Sequence, residues 1–167
     1  MKVRDAERHD AQAIAQIYNH YVLTSHATFE LDPIDTDEME LRIDNSLARE
    51  LPFLVAASEG VIVGYACAQQ YKHRAAYQHS VEISVYLRPE SNAKGIGTTL
   101  YGALFEKLRS SGVHAVIAGV SLPNDASVHL HEKFGMTKVA HFREVGRKFD
   151  RWIDVGYWEI ILSDRSI

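Results

Sequence analysis

Between positions 14 and 22 the apolar residues Ile14, Ile17, Tyr18, Tyr21 and Val22 recur at intervals of three and four, the stripe of an amphipathic helix, with Asp10 placed to cap its start. A second helical pattern over Asp37 to Glu50 carries Met39, Leu41, Ile43 and Leu47 among charges and ends before Pro52. The periodicity then changes. Phe53 to Ala57 and Val61 to Gln69 are β-rich runs, and Ser58-Glu59-Gly60 between them suits a hairpin. Val81 to Leu87 alternates strictly, so Val81, Ile83, Val85 and Leu87 share one face and Glu82, Ser84 and Tyr86 the other. A turn from Arg88 to Gly97 leads into a helix with Leu100, Ala103, Leu104 and Leu108 on its inner stripe, stopping near Gly112. Ala115 to Val120 reads as a buried strand. Asn124 caps a short helix through Phe134, and Gly135 stands where the chain must turn left-handed to leave it. Thr137 to Val145 and Trp152 to Leu162, with turns at Gly146 and Asp150, read as a closing antiparallel pair. The pattern predicts an α+β or mixed α/β class: one domain over residues 1–167, a central mixed sheet flanked by helices.

Composition narrows what such a domain can do. The chain has 167 residues, enough for one large core, and 18 Lys+Arg against 22 Asp+Glu leave a net charge of −4. That balance offers no field for a phosphate backbone, so no nucleic-acid partner is expected. Cys67 is the single cysteine, which rules out an internal disulfide and a C-x-x-C site and reads as a small core residue. Of the nine histidines, His129 and His131 are two apart on different helix faces and no His-Glu-x-x-His occurs, so no metal is expected. Charged residues fill Met1 to Asp10, and no run approaches 18 apolar residues; neither a signal peptide nor a membrane partner is expected, and the cytoplasm is the expected compartment.

The strongest local motif is Lys94-Gly95-Ile96-Gly97-Thr98-Thr99 between a strand and a helix. Two glycines let a backbone approach a ligand, and the unpaired N–H groups of the helix start favour an anion such as a pyrophosphate. The same glycines can equally serve only to turn the chain. A P-loop is excluded because Lys94 precedes both glycines, and a dinucleotide fingerprint because Leu100 stands where the third glycine belongs.

Together, the strand Val81 to Leu87, the loop Asn92-Ala93-Lys94-Gly95-Ile96-Gly97 and Asn124-Asp125-Ala126-Ser127-Val128-His129-Leu130-His131-Glu132-Lys133-Phe134-Gly135-Met136 resemble the GNAT superfamily of acyl-CoA-dependent N-acetyltransferases, from Val3 to Leu162. Ala27-Thr28-Phe29-Glu30, Arg74-Ala75-Ala76-Tyr77, Val81-Glu82-Ile83-Ser84-Val85-Tyr86, Leu122-Pro123-Asn124-Asp125-Ala126-Ser127 and Trp152-Ile153-Asp154-Val155-Gly156 resemble the branch that acetylates phosphinothricin and methionine sulfoximine or sulfone. The resemblance implies the GNAT fold and acetyl-CoA as co-substrate. The pantetheine would run along Val85, Tyr86 and Leu87, and the pyrophosphate would sit on the amides of Ala93, Lys94, Gly95, Ile96, Gly97 and Thr98. Asn124 and Lys133 would touch the cofactor's far side. Asn92 departs from the Gln or Arg that usually opens this loop, which implies somewhat weaker affinity, since backbone amides do most of the phosphate binding.

Two side chains carry the expected chemistry. An α-amino group with pKa of about 8 is only about 10% neutral at pH 7, and only the neutral form attacks a thioester. Glu82, on a largely apolar strand that raises its pKa, is the candidate base; a strand glutamate can also simply face solvent, and the resemblance favours the base. Ser127, Leu130, His131 and Phe134 share an inward helix stripe, so His131 is either a satisfied core histidine or the acid that meets the departing thiolate or organises the oxyanion. Many members of the superfamily have tyrosine there. By resemblance, Phe29, Glu30, Arg74 and Tyr77, with His73, Ala75, Ile83 and Ser84, shape a pocket for a small amino-acid analogue. Arg74 would grip a carboxylate or else be an ordinary solvated arginine. The implied assembly is a homodimer through the C-terminal strands. A non-catalytic acyl-CoA sensor and an acetyltransferase of protein N-termini or lysines are the alternatives.

Overall fold

Two sets of apolar stripes cover the two faces of one sheet. The computed structural model describes residues 1–91 and 95–162. Its strands are β1 (Lys2–Asp5), β2 (Phe53–Ser58), β3 (Val61–Gln70), β4 (Ser80–Leu87), β5 (Ala115–Leu122), β6 (Thr137–Lys148) and β7 (Arg151–Ile161). The helices are α1 (Ala11–Thr24), α2 (Thr36–Leu47), α3 (Ile96–Ser110) and α4 (Asp125–Lys133). The seven strands form a mixed sheet in the order β1-β2-β3-β4-β5-β7-β6, in which β4 and β5 are the parallel pair.

Ile14, Ile17, Tyr18 and Val22 of α1 and Met39 and Ile43 of α2 bury against Phe53, Val55, Ile62, Tyr65 and Cys67. The opposite face packs Leu100, Tyr101, Leu104, Phe105 and Leu108 of α3 on Leu54, Ala56, Ala66, Val81, Ile83, Val116 and Ala118. Both faces of β2 and β3 are therefore covered, and their sequences run apolar without alternation. A register shift at Ala56/Ala57 on β2 lets Ile62 and Tyr65, three apart on β3, reach the same face.

Four features differ from the sequence expectation. Lys2–Asp5 forms an edge strand, invisible in a polar tetrapeptide, because its backbone pairs with β2. Asp10 is not the cap of α1. Its backbone is already helical, and its carboxylate accepts from Arg4 at 2.6 and 2.8 Å and from the Glu7 N–H at 2.8 Å. Helix α2 ends at Leu47, with Leu41 and Leu47 exposed, so its buried stripe is narrower than expected. Gly146 does not end β6. It lies inside the strand at an irregular register, and the turn falls at Phe149 and Asp150, both with positive φ (51° and 56°). A side chain at Gly146 would collide with the Phe29 ring, which lies on it.

The Arg4–Asp10 pair ties β1 to the start of α1, with Asp10 4% exposed. Asp10→Ala should lower the unfolding free energy by about 1–3 kcal/mol, read by urea titration. The Asp10 pKa is lowered, chiefly by the hydrogen bond from Arg4. Its contribution is therefore complete above the unfolded carboxyl value of about 4 and is lost as pH falls through the lower folded value. The gap between wild type and Asp10→Ala should be constant near neutrality and close only below about pH 4.

Candidate active site between two diverging strands

Strand β4 stays paired with β3 through Leu87, and β5 with β7 through Leu122. The two strands pair with each other only at Ser80↔Ala115, Val81↔Val116 and Glu82↔Ile117. Beyond Glu82 they separate around a cleft of about 340 Å³, lined by Ile83 to Leu87 on one side and Gly119, Val120 and Ser121 on the other. Asn124, Ser127, Leu130 and His131 of the α4 region and Gly97 of α3 complete it. The β4 edge freed by the separation offers main-chain donors and acceptors to an extended ligand lying where the next strand would be.

One end of this cleft meets the start of α3. Gly95, at φ +69°, turns the chain into the helix in a conformation that suits glycine. The first-turn N–H groups of Ile96, Gly97 and Thr98 have no intrahelical acceptor and favour an anion. Lys133 of α4 reaches the same place, its Nζ 3.4 Å from Thr98 Oγ1. Asn124 lines the cleft but also caps α4, accepting from the Ser127 N–H at 3.2 Å. The expected pyrophosphate ligands Ala93 and Lys94, with Asn92, lie outside the described residues.

Glu82 sits at the fork itself. A Cβ on Gly119 would lie 3.1 Å from Glu82 Oε1, so the missing side chain on β5 makes room for the carboxylate. Burial raises the Glu82 pKa, and the Gly119 N–H, hydrogen-bonded to the carboxylate, offsets this in part. A second cavity of about 500 Å³ opens on the same side chain, lined also by Tyr71, Lys72, Ile117, Tyr157, Glu159 and residues of β6.

The expected pocket residues divide. Tyr77 packs edge-on against Tyr71 at 5.7 Å, and Lys72 Nζ lies 5.0 and 5.3 Å from those two rings. Arg74 and Ala75 are exposed at the start of a single 3-10 turn, and His73 borders a separate hollow beside Arg42 and Arg49. The cation of this loop that shares a cavity with Glu82 is thus Lys72. Lys72 and Arg74 are cations two apart in one short segment, and spacing alone does not tell which of them faces Glu82. Ile83 and Ser84 line the cleft, and Ser84 also faces a hollow containing Tyr18, Glu30 and Arg42. Glu30 Oε1 accepts from Arg42 at 2.6 Å, while Oε2 has no partner among the described residues. Phe29 is part-exposed on Gly146.

His131 is 3% exposed and bonded at both ring nitrogens, Nδ1 to Tyr101 Oη at 3.0 Å and Nε2 to Ser127 Oγ at 3.2 Å. Burial pushes its pKa down to about 4, so the ring is neutral at pH 7. Neither Tyr101 nor Ser127 was given a chemical role from sequence. Tyr101 reads as one more apolar position of α3, and only the folded chain sets it beside the histidine. Cys67 is buried, its thiol pushed up to about 12, which removes it as a nucleophile. Among the described residues no cluster of His, Cys, Asp or Glu can hold a metal ion, and no helix is long and apolar enough to cross a membrane.

An extended cleft beside a free strand edge, with an anion site at its end and a carboxylate at its fork, fits acetyl-CoA. Residues 3–156 match the acetyltransferase (GNAT) domain family. The chain is 35% identical to an L-amino acid N-acyltransferase of Escherichia coli, over 99% of this chain and 96% of that protein. It is 36% identical to an L-methionine sulfoximine/L-methionine sulfone acetyltransferase of Salmonella typhimurium, over 99% and 97%. A phosphinothricin acetyltransferase of Sinorhizobium meliloti, solved with acetyl-CoA, superposes with a TM-score of 0.95 at 33% identity, over 99% of this chain and 90% of that one. The strands that part beyond Glu82 are accordingly those of a GNAT-family protein, and this chain is an acetyl-CoA-dependent N-acetyltransferase.

Proposed function

We propose that the enzyme acetylates the α-amino group of a small amino acid or amino-acid analogue of the phosphinothricin, methionine sulfoximine or methionine sulfone type. The observation that carries this reading is the position of Glu82, a carboxylate with raised pKa that lines a cavity bearing Lys72 and lies against Gly119 of the acyl cleft. An acceptor carrying its ammonium and its carboxylate on one carbon matches Glu82 and Lys72 on the walls of that cavity, which Glu159 also lines. The relatives named for L-amino acids, methionine sulfoximine and phosphinothricin support it.

Acetyl-CoA supplies the acyl group. In this reading the free edge at Val85, Tyr86 and Leu87 holds the pantetheine, and the amides at the start of α3, with Lys133, face the pyrophosphate. Glu82 takes one proton from the acceptor ammonium, directly or through water, and the neutral amine attacks in a ternary complex. Lys72 meets the acceptor carboxylate, beside the rings of Tyr71 and Tyr77. Glu30 and Ser84 line a neighbouring hollow beside Tyr18 and Arg42, and Arg74 and Phe29 lie outside both cavities. A homodimer through β6 and β7 belongs to the same reading, supported by the exposed Val139, Phe142, Val145, Phe149 and Trp152 at that edge of the sheet.

Thiol release from acetyl-CoA should saturate with methionine sulfone, methionine sulfoximine and phosphinothricin, and not with aminoglycosides or polyamines. A protein N-terminus as the true acceptor would instead show in turnover of a peptide alone. Glu82→Gln should lower kcat by about 10²- to 10⁴-fold with acetyl-CoA affinity unchanged. Because the base must be ionised, wild-type activity should rise with pH through a value above the ordinary carboxylate range; the variant should lose that limb and keep only the limb set by the amine. Lys72→Ala should raise the KM for carboxylate-bearing acceptors about tenfold while leaving that for acetyl-CoA in place.

A further inference from the structure

The three groups Tyr101, His131 and Ser127 form a chain whose hydrogen-bond directions are fixed by burial. Tyr101 is fully buried, and His131 Nδ1 is the partner its hydroxyl has among the described residues. A buried hydroxyl hydrogen left without an acceptor is costly, so the phenol donates to Nδ1. Nδ1 then carries no proton. The neutral imidazole must hold its hydrogen on Nε2, and Nε2–H donates to Ser127 Oγ at 3.2 Å. The low pKa of His131 keeps this arrangement through neutral pH. Ser127 Oγ has accepted one hydrogen bond, and its own O–H has no acceptor within the chain among the described residues. Ser127 lines the cleft.

We propose that Ser127 is a catalytic residue, its hydroxyl donating a hydrogen bond to the coenzyme A sulfur as the carbon–sulfur bond breaks, and that His131 and Tyr101 are positioning residues that aim and polarise it. This rests on the acetyl-transfer reading given above. The amine nitrogen forms its bond to the acyl carbon, and the electron pair of the breaking carbon–sulfur bond goes to sulfur. The acceptor ammonium loses two protons in all: the first goes to Glu82 and on to solvent, and the second neutralises the thiolate. Ser127 and His131 keep their own protons and supply only the field that steadies negative charge on sulfur. A histidine with both nitrogens engaged and a pKa near 4 is a poor imidazolium acid but an effective fixed dipole.

Ser127→Ala should lower kcat by about 10²-fold with the KM for acetyl-CoA unchanged, and Ser127→Thr, which keeps the hydroxyl, should restore most of it. Imidazole ¹⁵N shifts of His131 in the wild type should show the Nε2–H tautomer, and Tyr101→Phe should mix the two tautomers and lower kcat several-fold. Undiminished kcat in a folded Ser127→Ala, equal losses in the Ala and Thr variants, or an Nδ1–H tautomer in the wild type would each overturn the proposal. A wild type inert toward every amine would instead overturn the acetyl-transfer reading, and the tautomer measurement, which needs no turnover, would still decide the hydrogen-bond chain.

Discussion

Parallel strands β4 and β5 share three residue pairs and then part, although each keeps its other neighbour to its far end. A row of backbone groups left unpaired in a sheet interior is costly unless water or a ligand takes the place of the missing strand. Two helices stand at the gap, and at its far end the Tyr21 hydroxyl donates to the Leu87 carbonyl at 2.7 Å. Leu130 and His131 of α4 line it from one side, and Gly97 at the start of α3 lies beside Leu130 and Leu87. In the reading proposed above, the cofactor takes the place of the missing strand along this edge.

The same divergence places the chemistry. Glu82 is the last residue of β4 paired with β5, so its carboxylate lies where the sheet stops excluding ligand and the cleft begins. Burial opposes its ionisation, and the Gly119 N–H keeps that opposition moderate. The balance suits a base that must take a proton from an ammonium and later release it to solvent. On the far wall Tyr101, His131 and Ser127 are hydrogen-bonded in series, and Ser127 lines the cleft. In the mechanism proposed above, one wall accepts a proton and the other steadies negative charge.

Phe29 and Glu30, expected at the acceptor pocket, lie on a segment with little structure of its own. The connection between α1 and α2 is held from several strands at once. Lys148, 3% exposed on β6, donates to the Thr28 carbonyl at 2.8 Å, and Ser121 of β5 donates to the His26 carbonyl. Tyr86 of β4 lies 3.4 Å from the Ala27 carbonyl, and Phe29 rests on Gly146 of β6. A loop fixed at so many points is held as firmly as a strand would be, and its position depends on β6, remote in sequence from it.

The sequence alone determined most of the elements, because their stripes have the period of the structure that buries them: the α1 stripe, the alternation of β4, the capped α4 and the turn at Gly135 were legible residue by residue. It also marked Glu82 and His131, since a carboxylate in an apolar strand and a histidine on an inward stripe stand out against their neighbours. Tertiary structure alone decided what has no local period. Lys2–Asp5 is a strand only through pairing with β2, and Asp10 turns from helix cap to ion-pair partner because Arg4 is brought beside it. Gly146 continues a strand because Phe29 needs its surface, and Lys72 rather than Arg74 shares a cavity with Glu82 through the path of a loop. The bond between Tyr101 and His131 joins residues 30 apart on two helices, and a contact at that separation is fixed by packing, which one-dimensional spacing does not encode.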